Sequence, residues 1–228
     1  EVGRLEKVFV FLRKPPDEPA EAFRSRYLRE HAQRVLEIPG LLRYSANLVE
    51  EVPPVLTPEV GFGNPGTGVD AVDELWLERA DELPAPYRQG AKVAGAYRID
   101  ERVIRRHPPD WPKGGRSPWF KRIAFLKRAE GMTREAFADY WRNVHGPLAL
   151  DIHQMVSYVQ NVITGTLHEA SGPWDGIVQM TYWSMDDFIR KFFPNEGARR
   201  IILEDVPKFI SGWGESRPAW SLGEYIMK

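Results

Sequence analysis

Ala136-Phe137-Ala138-Asp139-Tyr140-Trp141-Arg142-Asn143-Val144-His145-Gly146-Pro147-Leu148 is the stretch whose reading decides the fold. Phe137, Tyr140, Trp141, Val144 and Leu148 recur at i, i+3, i+4, i+7 and i+11, one face of an α-helix. Thr133, just before the apolar run, suits an N-cap. Gly146-Pro147 is expected to stop the helix, since proline lacks an N–H and restricts the residue before it. His145 then falls near the C-terminal end, at the edge of the apolar stripe on the Trp141 side.

Working outward, a second copy lies upstream. Phe9-Val10-Phe11-Leu12-Arg13 aligns with Ile123-Ala124-Phe125-Leu126-Lys127 at an offset of 114 residues. Without a gap, the same offset pairs Phe23 with Phe137, Tyr27 with Trp141, His31 with His145, Tyr44 with Tyr158 and Asn47 with Asn161. Further on the offset becomes 105, pairing Asp70 with Asp175, Asp81 with Asp186 and Asp100 with Asp205. A unit of about half the chain is duplicated, which is too long a period for a solenoid. The change of offset makes the loop at 51–69 nine residues longer in the first copy. That loop holds four prolines and four glycines and reads as a surface insertion, with a lid over a pocket as the functional alternative.

Each copy reads strand, helix, strand, strand, helix, strand. In the first, strands are expected over 7–13, 42–50, 70–77 and near Val103, with helices over 21–36 and, weakly, 80–93. In the second, strands are expected over 120–128, 156–164, 175–183 and 224–227, with helices over 134–145, 186–193 and 197–205. This is the ferredoxin-like βαββαβ order in an α+β protein. The first two strands of each copy are apolar on both faces, so the face away from the helices needs a cover, and the sister copy is the natural one. The units are placed at 1–106 and 119–228, with a Pro- and Gly-rich linker at 107–118.

The sequence resembles the EthD family. The resemblance rests on Phe125-Leu126-Lys127-Arg128, Glu135-Ala136-Phe137, Tyr140-Trp141, His145-Gly146-Pro147-Leu148 and Tyr158-Val159-Gln160-Asn161. The first copy matches more loosely, with Arg26-Tyr27 for Tyr-Trp and His31-Ala32-Gln33 for His-Gly-Pro. The resemblance implies ferredoxin-like units that pair, sheet against sheet, in a dimeric α/β-barrel-like arrangement, here within one chain. It also implies relatives by fold that include polyketide cyclases, dehydratases, lactone isomerases and cofactor-free oxygenases.

Composition narrows the function. The 228 residues are 43% hydrophobic and 28% charged, ordinary for a globular protein. A net charge of −1 gives no general attraction to nucleic acid or anionic membranes. The absence of cysteine excludes disulfides, thiolate nucleophiles and cysteine-ligated metals. No apolar run reaches the ~20 residues of a membrane-spanning helix, no signal peptide is visible, and a cytoplasmic location is expected. No dinucleotide, Walker or nucleophile-elbow motif is present, so no cofactor is expected. His145, Asp151 and His153 form the best metal set, but without a regular helical His spacing.

His145 is the leading candidate for a general acid/base, against a plain helix-end role. His31 is its repeat mate. Tyr158 and Asn161 are candidate donors, and Trp141, Phe125, Tyr182, Trp183 and Tyr44 candidate pocket walls, each against a packing role. Asp100 and Asp205 are a candidate acid pair, against helix-end or turn roles. The second copy, with the stricter motif, is expected to carry the chemistry in an apolar cavity lined by its aromatics. The expected activity is a cofactor-independent lyase (dehydratase) or cyclase/isomerase. It would act on a small aromatic or apolar carbonyl compound through histidine acid/base chemistry. A cofactor-free oxygenase and a non-catalytic carrier or stress-type binding protein are the alternatives. Further association into a homodimer is left open.

Overall fold

The structure, a computed structural model, describes residues 5–52, 68–88, 92–212 and 218–228. Most of the 51–69 loop lies outside the described residues. The first half supplies β1 (Glu6–Arg13), α1 (Ala20–Arg26), α2 (Ala32–Leu36), β2 (Leu41–Glu50), β3 (Ala71–Leu77), α3 (Ala85–Arg88) and β4 (Lys92–Arg105). The second supplies β5 (Phe120–Leu126), α4 (Arg134–Tyr140), α5 (Gly146–His153), β6 (Ser157–Thr166), β7 (Gly176–Tyr182), α6 (Met185–Phe192), α7 (Glu196–Asp205) and β8 (Ala219–Ile226). The strands close into one antiparallel barrel in the order β1-β3-β2-β8-β5-β7-β6-β4.

The halves join edge to edge, β2 on β8 and β4 on β6, so one chain supplies every strand. Closure leaves no unpaired edge. Side chains alternate along each strand. In β1, Phe9 and Phe11 point into the barrel, where they meet Phe125, Tyr97 and Trp220. Val8, Val10 and Leu12 point outward, under the helices of the first half. A matching outer core lies under the helices of the second half.

Three expectations need correction. The weak helix over 80–93 shrinks to the four residues of α3, and the strand near Val103 is the far end of β4, fourteen residues long. That length lets β4 pair with β1 through its first part and with β6 through its second. Nor does Gly146-Pro147 stop the helix. A π turn over Trp141–His145 joins α4 to α5, and Pro147 falls in the first turn of α5. Proline's fixed φ suits a helical position, and the missing N–H falls where the helix passes from the π turn into α5. The first half carries the same device: a π turn over Tyr27–His31 joins α1 to α2. Each histidine is therefore the last residue of a mid-helix π turn, a feature that often marks functional sites. Thr133 caps α4 as expected, its side chain accepting from Ala136 N at 3.1 Å.

Candidate functional site

The first half gathers a polar cluster around Asp73, a fully buried residue of β3. Asp73 shares its outward face with Leu75 and Leu77, so its carboxylate points at the helices. Tyr27 and Tyr44 donate to Oδ1 at 2.5 and 2.9 Å. Tyr87 of α3 donates to Oδ2 at 2.8 Å, and His31 Nε2 meets Oδ2 at 2.7 Å. Four donors thus converge on an acceptor-only group. In the neutral tautomer that donates from Nε2 to this carboxylate, Nδ1 is the ring's acceptor. Nδ1 makes no hydrogen bond among the described residues. Burial first, and then the charge of Asp73, pushes the hydroxyls of Tyr27, Tyr44 and Tyr87 well above the ordinary tyrosine range. All three therefore stay protonated as donors. Tyr27 also stacks on His31, ring centres 5.4 Å apart.

A cleft of about 80 Å³ opens on this cluster, lined by Leu12, Phe23, Tyr27, His31 and Pro86, with Arg13, Arg26, Arg34, Lys92 and Glu30 around them.

The second half repeats the imidazole with other partners. His145 Nδ1 meets Asp205 Oδ2 at 2.8 Å, and Tyr140 donates to Oδ1 at 2.7 Å. Phe209 covers the ring, centres 4.8 Å apart. Burial lowers the His145 pKa against the opposing pull of Asp205. Burial also works to raise that of Asp205, but Tyr140 and His145 outweigh it and the net shift is down. Trp141 donates from Nε1 to Tyr158 Oη at 2.9 Å, and Gln160 Nε2 donates to Trp141 O at 2.7 Å. Two glycines are closely enclosed here. A Cβ on Gly146 would lie 3.1 Å from the Gln160 amide, and one on Gly176 would lie 2.7 Å from the Trp141 ring. In the first copy, where Tyr27 replaces Trp141, Ala71 stands at the Gly176 position.

The remaining candidates disperse. Tyr44 joins His31 around Asp73. Tyr158 and Asn161, three apart on β6, face opposite sides, as strand periodicity requires. Tyr158 faces the helices, whereas Asn161 lies inside the barrel with Lys7 and Gln179. Phe125 packs inside the barrel. Tyr182 packs on Phe188 under the helices, and its neighbour Trp183 is exposed beside His107 of the linker and Trp119. The expected cavity lined by second-copy aromatics does not assemble from Trp141, Phe125, Tyr182 and Trp183, because they occupy three separate environments. Asp100 and Asp205 are not equivalent either: Asp100 lies on β4 and pairs with Arg102, and Asp205 ends α7. Among the described residues no group of three or more His, Asp or Glu is placed to hold a metal ion.

Sequence reasoning missed Asp73 and Tyr87, and a buried polar layer inside the barrel. In that layer Lys7 bonds Asn161 (2.9 Å) and Gln179 (2.9 Å), and its repeat mate Lys121 bonds Asn47 (3.1 Å), Glu224 (2.7 Å) and Glu74. A signal existed for Asp73 and for the layer. Asp73-Glu74 are adjacent acids in an otherwise apolar strand, and Lys7/Lys121 and Glu74/Gln179 obey the repeat offsets.

With this geometry in hand, comparison places the chain among known proteins. The EthD domain family matches residues 129–212. No curated protein sequence matches the chain. Solved structures share the fold at low identity. An anthrone oxidase-like protein aligns with a TM-score of 0.58 and 9% identity, over all of this chain and 93% of its own. A proposed chlorite dismutase aligns at 0.53 and 12%, over 97% of this chain and 94% of its own. A proposed monooxygenase from Lactobacillus acidophilus NCFM aligns at 0.51 and 11%, over 96% and 93%. Likeness at this level concerns the fold. No helix among the described residues is long and apolar enough to cross a membrane.

Proposed function

We propose, taking residues 129–212 as an EthD domain, that the chain is a tandem of two ferredoxin-like units, 1–106 and 119–228 about a linker at 107–118, and that it is an enzyme. Its reaction is proton transfer on a small planar carbonyl compound, with a carboxylate-held histidine as acid and base. One observation carries the reading: His31 Nε2 is held by Asp73 at 2.7 Å while its ring lines a cleft. Nδ1 takes a proton from the carbon beside the carbonyl, and the electron pair moves to the carbonyl oxygen as an enolate. Asp73 stabilises the imidazolium formed. Returning the proton at another carbon isomerises the substrate, and expelling a β-hydroxyl as water dehydrates it. This reading moves the chemistry from His145 to His31, because the cleft and the fuller donor shell both lie on His31.

An oxygenase begins with the same proton removal and adds dioxygen to the resulting carbanion. The names of two fold neighbours, a monooxygenase and an anthrone oxidase-like protein, favour it as the second reading. The test is deuterium exchange at C2 of phenylacetaldehyde in D2O, with an oxygen electrode in parallel. The native chain should accelerate exchange, and His31→Gln should abolish the acceleration. No acceleration by the native chain overturns the reading, and oxygen uptake coupled to proton loss selects the oxygenase.

A further inference from the structure

We propose that the His31 cleft takes a single-ring aromatic compound bearing a carboxylate, which Arg13 and Lys92 hold at the rim. The proposal rests on the reading of that cleft as the substrate site. Its apolar part is flat-walled: Phe23, Tyr27 and His31 form a run of rings, the first two 5.9 Å apart and stacked, the last two 5.4 Å apart and stacked. Leu12 and Pro86 complete the wall. At about 80 Å³ the cleft has room for no more than one ring.

The charges around it are unequal. Arg13, Arg26, Arg34 and Lys92 face the single carboxylate of Glu30. Two of the cations are already used. Arg26 makes a two-pronged bond to Glu18 at 2.8 and 2.7 Å, and Arg34 lies 3.9 Å from Glu30. Arg13 and Lys92 have no carboxylate partner among the described residues. They are exposed register partners at the end of the β1–β4 ladder, and both are among the residues that line the cleft. A guanidinium and an ammonium lining a cleft walled by rings can recognise a ring carboxylate through charge and through N–H donors. A substrate held there by its carboxylate presents its ring, and a carbon next to it, to the floor where His31 stands.

Benzoate and benzamide are the test pair, equal in shape and different in charge. Each is titrated into the full chain at low salt, with the imidazole resonances of His31 followed by NMR and assigned through His31→Gln. Benzoate should bind about tenfold more tightly, the difference expected from two exposed cations. Arg13→Gln with Lys92→Gln should erase that difference while circular dichroism shows an unchanged fold, as expected for exposed positions. Equal binding of the two probes, with the His31 resonances shifting for both, overturns the carboxylate proposal and leaves the cleft as the site. If neither probe moves the His31 resonances, the reading of the cleft falls and the proposal with it.

Discussion

His31 and His145 occupy the same place in two copies of one pattern, each ending a π turn in the helix that crosses its sheet. Their carboxylates come from different layers. In the first half Asp73 rises from β3 beneath the helix, whereas in the second Asp205 approaches from α7 beside it. At the repeat offset of 105, Val178 of β7 stands where Asp73 does, buried in the apolar core. The ring nitrogens differ too: Nε2 bonds Asp73, whereas Nδ1 bonds Asp205. The atom left to accept a proton is thus Nδ1 in one copy and Nε2 in the other. A helix pattern preserves where an imidazole sits, but the neighbouring element decides what holds it and which atom it offers.

The comparison is broken most directly by the two histidines. His31→Gln should lower proton exchange by about 10²–10⁴-fold, the usual contribution of a general acid/base. His145→Gln should change it by no more than about threefold if it acts through stability alone. Equal losses would mean two working sites, and a larger loss in the second would return the chemistry to His145.

The carboxylates test the same contrast through stability. Asp73→Ala strands three buried hydroxyls and an imidazole and should cost about 3–5 kcal/mol. Asp205→Ala releases one tyrosine and one histidine and should cost about 1–2 kcal/mol. Urea denaturation at pH 7 measures both, and a reversed order would show that the second dyad is the more tightly built.

Acid should expose the second half. Burial lowers the pKa of His153 from 6.5 to about 4, against its hydrogen bond to Phe192 O, and lowers that of His145 in the same direction. Between pH 6.5 and about 4 the unfolded chain takes up protons that the folded chain refuses. Stability therefore falls as pH falls through that window, by up to about 3 kcal/mol for His153, and the loss levels off below it. His153→Gln should flatten the fall in denaturation midpoint between pH 6.5 and 4.5. An unchanged slope would place the acid sensitivity elsewhere.

The smallest effect concerns packing. Gly176→Ala drives a methyl against the Trp141 ring and should cost about 1–3 kcal/mol. Adding Trp141→Tyr recreates the Tyr27/Ala71 pair of the first copy and should recover about 1 kcal/mol, read as the coupling of a double-mutant cycle. Strict additivity would mean the two positions are not coupled.

Much of the fold was legible because it is local. Short apolar runs bounded by turn residues located the strands, the 3.6-residue period located the helices, and two offsets pointed to a duplication. The separation of Tyr158 from Asn161 was equally legible, since residues three apart on a strand cannot share a face. The run past Gly146-Pro147 was not: a π turn shifts the helical phase, and it is held by a contact from another strand, Gln160 to Trp141 O.

The sequence by itself determined the element types, the repeat, and that each copy places a histidine on its first long helix. Period and composition act through neighbours along the chain, and those are all a sequence displays. Only the tertiary structure decided that Asp73, Tyr44 and Tyr87 gather on His31, that Asp205 replaces Asp73 in the second copy, and that a cleft opens on His31. Those pairings span fourteen to sixty residues. They exist only after barrel closure sets which faces meet, because a hydrogen bond depends on distance in space and not on distance along the chain.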